Sequence, residues 1–529
     1  MLYLENWQSG KKGGYPLILV LSLMVLLVIG CSNWDAGRNK QITMEAFSDM
    51  RTPAFVFTLD DIHSRLQVEV RSDTGNTEAD RQTRNYYRQA ANGLIWISRM
   101  GVNECADTLL SWLRQVGESG FSERSFMVSA IESDLNRLRT LDFYGDNHDI
   151  NQIAGRLEYN LTKACLRYCY GQRFGFTNPF RLFNNMDVEK QDTLRKTTKY
   201  RTLYDVAMDL PSKKYAQDIL RKVRQDSLTA YLHEIQPSGH YYHQLKAMLT
   251  HATASEQRRR ILVNMERARW RCRQPIPEVG KRIIVNIPAY HLYAYDGGPV
   301  LDMRVVCGTQ RTKTPQLRSY VEWMEINPQW VIPMSIVEHD VARHAGDSAY
   351  FARNRYNIYE RSTNRQMAVH AVSRQMLLSG NYRVAQEGGK GNSLGRIVFR
   401  FKNSHSVFLH DTSNPGAFNR ESRAASHGCV RVSSPFELAN FVLDNPDEWL
   451  LDRIRISMGL APETDQGIDY VGKHREDDRK LIGYVPVKPR VPLYIIYNTL
   501  WPDADGVIQT WPDVYGYDDV IWKHLQPYL

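Results

Sequence analysis

The amino-acid sequence predicts an α+β protein, in which an all-helical N-terminal domain precedes a mainly β domain with a helical insertion. Apolar residues recur at helix-like spacing through residues 76–262, and strand-like runs separated by turn residues begin after Pro275-Ile276-Pro277. The chain has 529 residues, of which 43% are hydrophobic and 24% charged. This length and composition predict about two to four folded units and exclude a disordered chain, a collagen-like repeat or a small disulfide scaffold.

The N-terminus has the features of an export signal. The apolar run Tyr15–Gly30 follows two lysines, Lys11 and Lys12, and is shorter than the ~20 residues that span a bilayer comfortably. Its end, Val28-Ile29-Gly30-Cys31, resembles a bacterial lipobox, in which the cysteine is lipidated and becomes the new N-terminus. Residues 1–31 are therefore predicted to be a signal peptide with a lipobox. The alternatives are an uncleaved signal anchor and a buried helix with an incidental cysteine.

Export would place the remaining chain outside the cytoplasmic membrane, so we expect a periplasmic protein with an N-terminal lipid anchor. Ser32, rather than an aspartate, follows Cys31, which favours the outer membrane under the usual sorting rule. Residues 32–75 are polar and poorly periodic, and they are expected to form a tether. The formal net charge of +9 permits an acidic partner without identifying one, and no nucleic-acid partner is expected.

Residues 76–262 are predicted to form one helical domain. Apolar residues recur with helical spacing between Asn103 and Gly120, and Gly120 is a typical C-terminal stop. Leu157–Tyr170 has the same spacing and places Cys165 and Cys169 on one helix face. A lone pair of this kind is more often core packing than half of a metal site. Two further segments continue the helical pattern: Tyr215–Leu232 and His243–Leu262.

Residues 263–455 are predicted to form the mainly β domain. Strand-like runs over Arg282–Pro288 and His291–Tyr295 lead into the turn Asp296-Gly297-Gly298, which is followed by the strand-like run Val300–Val306. Further strands are predicted at Tyr320–Ile326, Ile397–Phe401 and Ser406–Leu409.

Two segments flank the centre of this domain. Residues 335–380 are charged and helical in pattern, and we expect them to form a lid over a cleft. Residues 456–529 are predicted to be a C-terminal β extension packed on the domain, with the clearest strand at Val491–Tyr497. Aromatic residues in this tail, such as Trp501, could be a platform for a sugar, although packing against the sheet is the commoner use.

Candidate catalytic residues lie between Val407 and Val432. Cys429 follows His410 by 19 positions, enough chain for a loop to leave a strand end and return beside it. A free thiol has a pKa of ~8.5, so little thiolate exists at neutral pH. An imidazole within hydrogen-bonding reach can take the thiol proton and later return it to a leaving group. This pair therefore predicts acyl transfer by a cysteine nucleophile.

The neighbours of Cys429 fit the same chemistry. Gly428 leaves room for a carbonyl to approach and lets the amides of residues 428 and 429 form an oxyanion hole. Arg431 can pair with a carboxylate through two hydrogen bonds. An inert structural loop is one alternative. A zinc site is another, with ligands from His405, His410, His427 and Cys429, but the compact ligand spacing of zinc sites is missing.

The segment Ser426-His427-Gly428-Cys429-Val430-Arg431, with His410 upstream, resembles the signature of the L,D-transpeptidase family, cysteine enzymes that cross-link bacterial peptidoglycan. Further motifs resemble its large, scaffold-containing Gram-negative branch over roughly residues 80–529. These motifs are Asn264-Met265-Glu266-Arg267, Val285-Asn286-Ile287-Pro288-Ala289-Tyr290, Asn327-Pro328-Gln329-Trp330 and Gly391-Asn392-Ser393-Leu394-Gly395. The resemblance implies that residues 76–262 are the scaffold domain and residues 263–455 the catalytic domain.

The resemblance also implies a reaction. Cys429 would attack the carbonyl of the third residue of a stem tetrapeptide and expel D-alanine, and an amine of a neighbouring stem would then form a 3→3 cross-link. His410 would be the general base and acid. Ser426, His427, Gly428 and Arg431 would shape the donor pocket. No metal or cofactor is implied, the partner is the peptidoglycan stem peptide, and carbapenems are expected inhibitors.

Three points stay open in the sequence. Water could replace the acceptor amine, which would make the protein an L,D-carboxypeptidase or endopeptidase, and a wall-binding lipoprotein with a dead site is a further alternative. Phe408 stands where some family members have a tyrosine, so a hydroxyl that could assist the oxyanion is missing. The sequence does not predict the oligomeric state.

Overall fold

The computed structural model describes residues 58–89, 92–98, 101–143, 148–192, 197–476 and 479–529. The predicted signal peptide, Cys31 and the first part of the tether lie outside the described residues. The chain divides into two compact units. The first unit contains the described residues up to Tyr170, Ser212–Gln236 and Tyr528–Leu529, and the second contains Gly171–Pro211 and Pro237–Pro527. In the part of the chain described, no helix has the length and apolar character needed to cross a membrane.

The first unit is helical. Its elements are α1 (Leu59–Ser72), α2 (Glu78–Arg88), β1 (Ile97–Ser98), β2 (Gly101–Val102), α3 (Cys105–Leu113), α4 (Val128–Thr140), α5 (Ile150–Phe174, as far as Tyr170), α7 (Tyr215–Arg224) and α8 (Leu228–Glu234). Leu109, Phe126 and Leu161 are fully buried in its core. Cys165 and Cys169 are buried free cysteines of α5, as expected for core packing.

The prediction that residues 32–75 form a tether is wrong for Leu59–Ser72, which form α1. Ile62, Leu66 and Val70 are buried at four-residue spacing, so this segment is an amphipathic helix. The side chain of Thr58 caps its first turn by accepting a hydrogen bond from the backbone N–H of Asp61. The many charged residues on the other face of α1 hid this period in the sequence.

The division between the units also differs from the predicted boundary at residue 262. It falls within α5, after Tyr170, and again after Gln236. Helices α6 (Pro179–Phe183), α9 (His240–His251) and α10 (Ser255–Arg269) therefore belong to the second unit. The side chain of Asn264 on α10 explains part of this, because its Oδ1 accepts the backbone N–H groups of Thr499 and Leu500.

The second unit is built around a closed sheet, and this confirms the α+β prediction. Its strands follow the order β14-β15-β17-β8-β7-β6-β18-β9, and β14 also pairs with β9, which closes a barrel. The strands are β6 (Arg282–Asn286), β7 (His291–Tyr295), β8 (Leu301–Gly308), β9 (Gln316–Ile326), β14 (Ile397–Phe401), β15 (Leu409–His410), β17 (Val430–Val432) and β18 (Tyr484–Ile496). Two short strands join it: β5 (Tyr204–Asp205) on β9 and β16 (Ala424–Ser426) on β8.

The strand predicted over Ser406–Leu409 is wrong in its first three residues, because β15 begins only at Leu409. The side chain of Asn403 takes the hydrogen bonds of this loop instead. Its Oδ1 accepts the N–H groups of His405 and Val407, and its Nδ2 donates to the carbonyl of Val407. Ser406 adopts a positive φ of 54°, which is incompatible with a strand.

Residues 456–529 were predicted to be a C-terminal β extension packed on the domain. This prediction is wrong for β18. This strand pairs with β6 on one side and β9 on the other, so it is an interior strand of the barrel. Val491, Leu493 and Ile495 are buried there. The rest of the second unit's tail includes helices as well as strands: α16 (Asp465–Lys473), β19 (Leu500–Pro502), β20 (Ile508–Thr510) and α17 (Tyr517–Leu525).

The inserted segment is mixed rather than helical, so that prediction is corrected. A four-stranded sheet, in the order β10-β13-β11-β12, packs with short helices around buried Phe351, Ile358 and Leu377. The alternating run Tyr356–Glu360, predicted as part of a helix, is β11, one of the two inner strands of this sheet. The other elements are β10 (Trp330–Val331), α11 (Met334–Ile336), α12 (Ser348–Arg353), β12 (Gln366–Met367), α13 (Arg374–Leu378) and β13 (Tyr382–Gln386).

The remaining elements of the second unit are a hairpin and two helices. The hairpin comprises β3 (Val188–Asp192) and β4 (Thr197–Tyr200), and the helices are α14 (Pro435–Val442) and α15 (Glu448–Met458). Helix α15 follows the segment Val407–Val432 along the chain, and Asp447 caps its N-terminus by accepting the N–H of Leu450.

Candidate active site

His410 lies on β15, and Cys429 lies immediately before the adjacent parallel strand β17. Leu409 pairs with Val430, and His410 pairs with Arg431. The N–H of Val430 donates to the carbonyl of Phe408 at 3.0 Å, which places Cys429 level with Phe408. Side chains alternate between the faces of a sheet, so His410, Cys429 and Arg431 share one face, opposite to buried Leu409 and Val430. The loop between the two strands therefore places Cys429 on the same face as His410, two positions from it along the strands.

The thiol of Cys429 is partly buried and is not in a disulfide. Its Sγ lies 3.7 Å from the carbonyl oxygen of Ser406, to which it donates, and the backbone N–H of Phe408 donates to the sulfur. Burial raises the pKa of this thiol, against the lowering effect of the Phe408 bond and the positive charges of Arg400 and Arg431. Cys429 is therefore a neutral thiol in the resting protein.

His410 is buried, with 4% of its surface exposed. Its Nδ1 lies 2.5 Å from the carbonyl oxygen of Asp411, so Nδ1 carries the proton and Nε2 keeps the lone pair. Burial and then the charge of Arg431 lower the pKa of His410 from 6.5 to about 4, against the raising effect of its backbone hydrogen bonds with Asp411 and Leu394. The imidazole is therefore neutral at pH 7 and able to accept a proton.

The shifts in pKa oppose a thiolate–imidazolium ion pair. Burial raises the pKa of the thiol and lowers the pKa of the imidazole, and the hydrogen bonds described for this site do not join the thiol to the ring. Such an arrangement suits general-base catalysis, in which the proton moves as the sulfur attacks.

Ser426 and Gly428 shape the backbone around the sulfur. The hydroxyl of Ser426, which is buried, donates to the carbonyl of Cys429 at 2.5 Å and accepts the N–H of Gly428 at 3.1 Å. Gly428 has a φ of 116°, which a residue with a side chain rarely adopts.

The sequence predicted an oxyanion hole formed by the amides of Gly428 and Cys429. This prediction is wrong for Gly428, because its N–H already donates to the hydroxyl of Ser426. The N–H of Cys429 has no acceptor in the described part of the chain. This amide remains available to an oxyanion, and Ser426 is a positioning residue.

A second loop holds this segment in place, and the sequence did not indicate it. Thr312 donates to the carbonyl of Ser426 and Thr314 to that of Gly428, both at 2.9 Å. The hydroxyl of Tyr515 accepts the N–H of Thr314 and donates to the carbonyl of Gly308 at 2.7 Å. The bonded residues are 114 to 207 positions apart in the sequence, and no local sequence pattern reveals contacts over such distances.

The charge beside the thiol comes from two arginines. Arg431 is half-buried, its Nε has no hydrogen-bond partner, and no carboxylate pairs with it in the described part of the chain. Arg400, which the sequence did not single out, pairs with Glu325 at 2.7 Å and lies 4.4 Å from the ring centre of Phe408. Arg431 is thus the cation that stays available to a substrate carboxylate.

The loop before β14 packs beside His410. Asn392 is fully buried there, with its Nδ2 donating to the carbonyl of Glu387 and its Oδ1 accepting the N–H of Leu394. Gly395 has a φ of 69°, and a Cβ on it would lie 2.4 Å from the side chain of Asp411. The Gly391–Gly395 motif therefore positions the backbone that bonds the imidazole.

Two further histidines were candidates in the sequence analysis. His427 is exposed, two positions before Cys429. His405 pairs with Asp205 at 2.9 Å rather than with the thiol. Within the ranges that the structure covers, no cluster of three His, Cys, Asp or Glu side chains is arranged to hold a metal, so the zinc alternative lacks a ligand set.

Comparison with known proteins agrees with this fold. Residues 280–456 match the L,D-transpeptidase catalytic domain, and residues 81–249 match the Scaffold domain. The chain therefore contains an L,D-transpeptidase catalytic domain together with a scaffold domain.

A curated protein of Haemophilus influenzae, named "Putative L,D-transpeptidase", is 28% identical over 334 residues. The match covers 60% of this chain and 62% of the relative, so the chain spans less than two thirds of that protein's length.

Proposed function

We propose that this protein is an L,D-transpeptidase that forms 3→3 cross-links between peptidoglycan stem peptides through a thioester on Cys429. The position of Cys429 immediately before β17, on the same face as His410 of the adjacent β15, carries this proposal. The match of residues 280–456 to the catalytic domain supports the peptidoglycan substrate.

The first half-reaction forms the thioester. Nε2 of His410 takes the thiol proton as the sulfur attacks the carbonyl of the third stem residue. The N–H of Cys429 stabilises the oxyanion. The C–N bond to the terminal D-alanine then breaks, and the imidazolium returns its proton to the departing amine. Burial of His410 favours this return, because it disfavours the charged ring.

The second half-reaction uses the same groups in reverse. An amine of a neighbouring stem attacks the thioester carbonyl and gives its proton to Nε2 of His410. The C–S bond breaks, the new amide forms, and the imidazolium reprotonates the sulfur, so the site returns to its neutral state. Water in place of the amine would give the hydrolytic reaction that the sequence leaves open.

Arg431 is proposed to bind the carboxylate of the terminal D-alanine. Its guanidinium is close enough to both His410 and Cys429 to influence their pKa values, and it has no carboxylate partner in the described ranges. A carboxylate held there would lie on the leaving-group side of the scissile bond.

Mass spectrometry of the products from disaccharide-tetrapeptides tests the function. We expect dimers that have lost one D-alanine, and none from Cys429→Ala. Tripeptide monomers without dimers would show hydrolysis instead, and unaltered substrate would overturn the enzymatic proposal. Ser433→Ala, a nearby change outside the pair, is the matched control and should keep activity.

We also propose that the protein is a periplasmic lipoprotein anchored through Cys31. The charged-then-apolar N-terminus and the lipobox-like Val28–Cys31 support this. Cells grown with an alkyne-tagged fatty acid should label the wild-type protein and leave Cys31→Ala unlabelled. Equal labelling of both proteins would contradict the anchor.

A further inference from the structure

A buried ion pair of the second unit lies beside the nucleophile and takes no part in the chemistry described above. Nζ of Lys313 donates to Oδ1 and Oδ2 of Asp187 at 2.8 and 2.7 Å. Only 8% of the Lys313 side chain is exposed, and in the described part of the chain Asp187 is the one carboxylate that pairs with it. Because taking an ammonium group out of water is costly, core packing alone does not account for a lysine at this position.

Lys313 belongs to the loop Thr309–Thr314, which follows β8 and which we call the clamp loop. This loop packs tightly on the end of β8, since a Cβ on Gly308 would lie 2.0 Å from the carbonyl oxygen of Thr312. The N–H of Gly308 also donates to the hydroxyl of Thr314 at 2.8 Å. The clamp loop therefore has no room to shift toward β8, and its position depends on the other groups that hold it.

The clamp loop holds the backbone that carries the nucleophile. Thr312 donates to the carbonyl of Ser426 and Thr314 to that of Gly428, both at 2.9 Å. Gly428 directly precedes Cys429 in the chain. A movement of the clamp loop would therefore displace the sulfur relative to the imidazole, and catalysis is sensitive to displacements of this kind.

The ion pair joins the clamp loop to the base of the hairpin of β3 and β4. Asp187 directly precedes β3, and Arg201 directly follows β4. The N–H of Arg201 donates to the carbonyl of Asp187 at 2.8 Å, which closes the base of the hairpin. The guanidinium of Arg201 donates to the carbonyl of Arg311 in the clamp loop. The hairpin base therefore contacts the clamp loop at two places, and the charged contact is the one at Lys313.

We propose that Asp187 and Lys313 are positioning residues for the reaction at Cys429, because their ion pair fixes the clamp loop and the clamp loop fixes the nucleophile. This inference deepens the proposed function and rests on it. Well-packed apolar residues often stabilise a fold as much as a buried ion pair does. Two hydrogen bonds from one ammonium to one carboxylate, however, define the position of the loop. The pair thus selects one geometry of the nucleophile rather than adding stability to the whole fold.

Four variants separate positioning from stability. Lys313→Met removes the ammonium and leaves the carboxylate without its partner. The double variant Asp187→Leu/Lys313→Met removes both charges, so it avoids the cost of an unpaired buried charge. Lys313→Arg keeps a cation that can bond both carboxylate oxygens. Lys473→Met, which breaks the exposed pair with Asp469 on α16, is the matched control.

Steady-state kinetics of D-alanine release from a disaccharide-tetrapeptide give the first readout. We expect Lys313→Met and the double variant to lower kcat about 10- to 100-fold and to change KM little, because a misplacement of about 1 Å can cost ~100-fold in rate. Lys313→Arg should recover most of the rate, and Lys473→Met should match the wild type. Chemical denaturation should show the double variant unfolding at the same midpoint as the wild type.

Alkylation of Cys429 by iodoacetamide, followed by peptide mass spectrometry, gives a second readout that requires no substrate. Loss of the ion pair should loosen the backbone around the partly buried sulfur. We therefore expect faster alkylation of Cys429 in Lys313→Met and in the double variant, and the wild-type rate in Lys313→Arg and Lys473→Met.

The outcomes separate this proposal from the catalytic one. Wild-type kcat in the double variant would show that the pair only stabilises the fold and would overturn the proposal. So would wild-type alkylation in both charge-removing variants, or a kcat of Lys313→Arg as low as that of Lys313→Met. A wild-type protein that releases no D-alanine, but whose variants show the expected alkylation, would contradict the transpeptidase and leave the positioning of Cys429 by the pair standing.

Discussion

The protonation state of two side chains decides how this site can react. Burial lowers the pKa of His410 to about 4 and raises the pKa of the Cys429 thiol. In the proposed mechanism the two groups therefore exchange one proton during each half-reaction, instead of resting as an ion pair. The sequence predicted both residues and their closeness along neighbouring strands, but burial, which sets their charge, depends on contacts made by the whole fold.

The pH dependence of the reaction follows from the buried imidazole. Neutral His410 is the base, so activity is lost only as pH falls through its pKa of about 4. We expect kcat/KM for D-alanine release to be nearly constant between about pH 5.5 and 7.5. This range extends roughly one pH unit on either side of the ordinary histidine pKa of ~6.5. An acidic limb near 6.5 would show that the ring is solvated in solution.

Arg431 should act on the substrate carboxylate rather than on the thiol. Arg431→Gln is expected to lower kcat/KM for a stem tetrapeptide about 10- to 100-fold, because a charge-assisted hydrogen bond contributes about 1.5–3 kcal/mol. A tetrapeptide with an amidated C-terminus should react slowly with the wild type and lose nothing further in the variant. Equal losses on both substrates would assign Arg431 a structural role.

At the scale of elements, the structure differs most from the sequence prediction where a segment pairs with distant chain. The run Val491–Tyr497 was correctly predicted to be a strand, but its position between β6 and β9 depends on partners about 170 to 210 residues earlier in the chain. The insertion was misassigned because its short strands carry charged residues between the apolar ones. The spacing of apolar residues along the chain was therefore not enough to distinguish these strands from helices.

Because β18 is an interior strand, shortening a buried side chain within it should cause a large loss of stability. Leu493 is fully buried, so Leu493→Ala should reduce the free energy of unfolding by about 2–5 kcal/mol. Ile468→Ala, on exposed α16, is the control and should change it by less than about 0.5 kcal/mol. Chemical denaturation of both proteins checks this. A similar small change in both would mean that the tail is only an appendage.

At the scale of the whole molecule, the sequence predicted the two main architectures. The segment Ser426–Arg431, whose catalytic role stays a prediction, lies within the residues that match the catalytic domain. The sequence missed the buried face of α1, the loop of Thr312 and Thr314, and the use of the Gly428 amide by Ser426. Each of these features depends on contacts that form only in the folded chain.

The central claim is that the sulfur of Cys429 carries the acyl group. Intact-protein mass spectrometry during turnover of a disaccharide-tetrapeptide tests it most directly. We expect one adduct with the mass of the donor minus D-alanine, removable by hydroxylamine as a thioester should be, and no adduct on Cys429→Ala. An adduct that persists in Cys429→Ala, or that maps to another residue, would contradict the account.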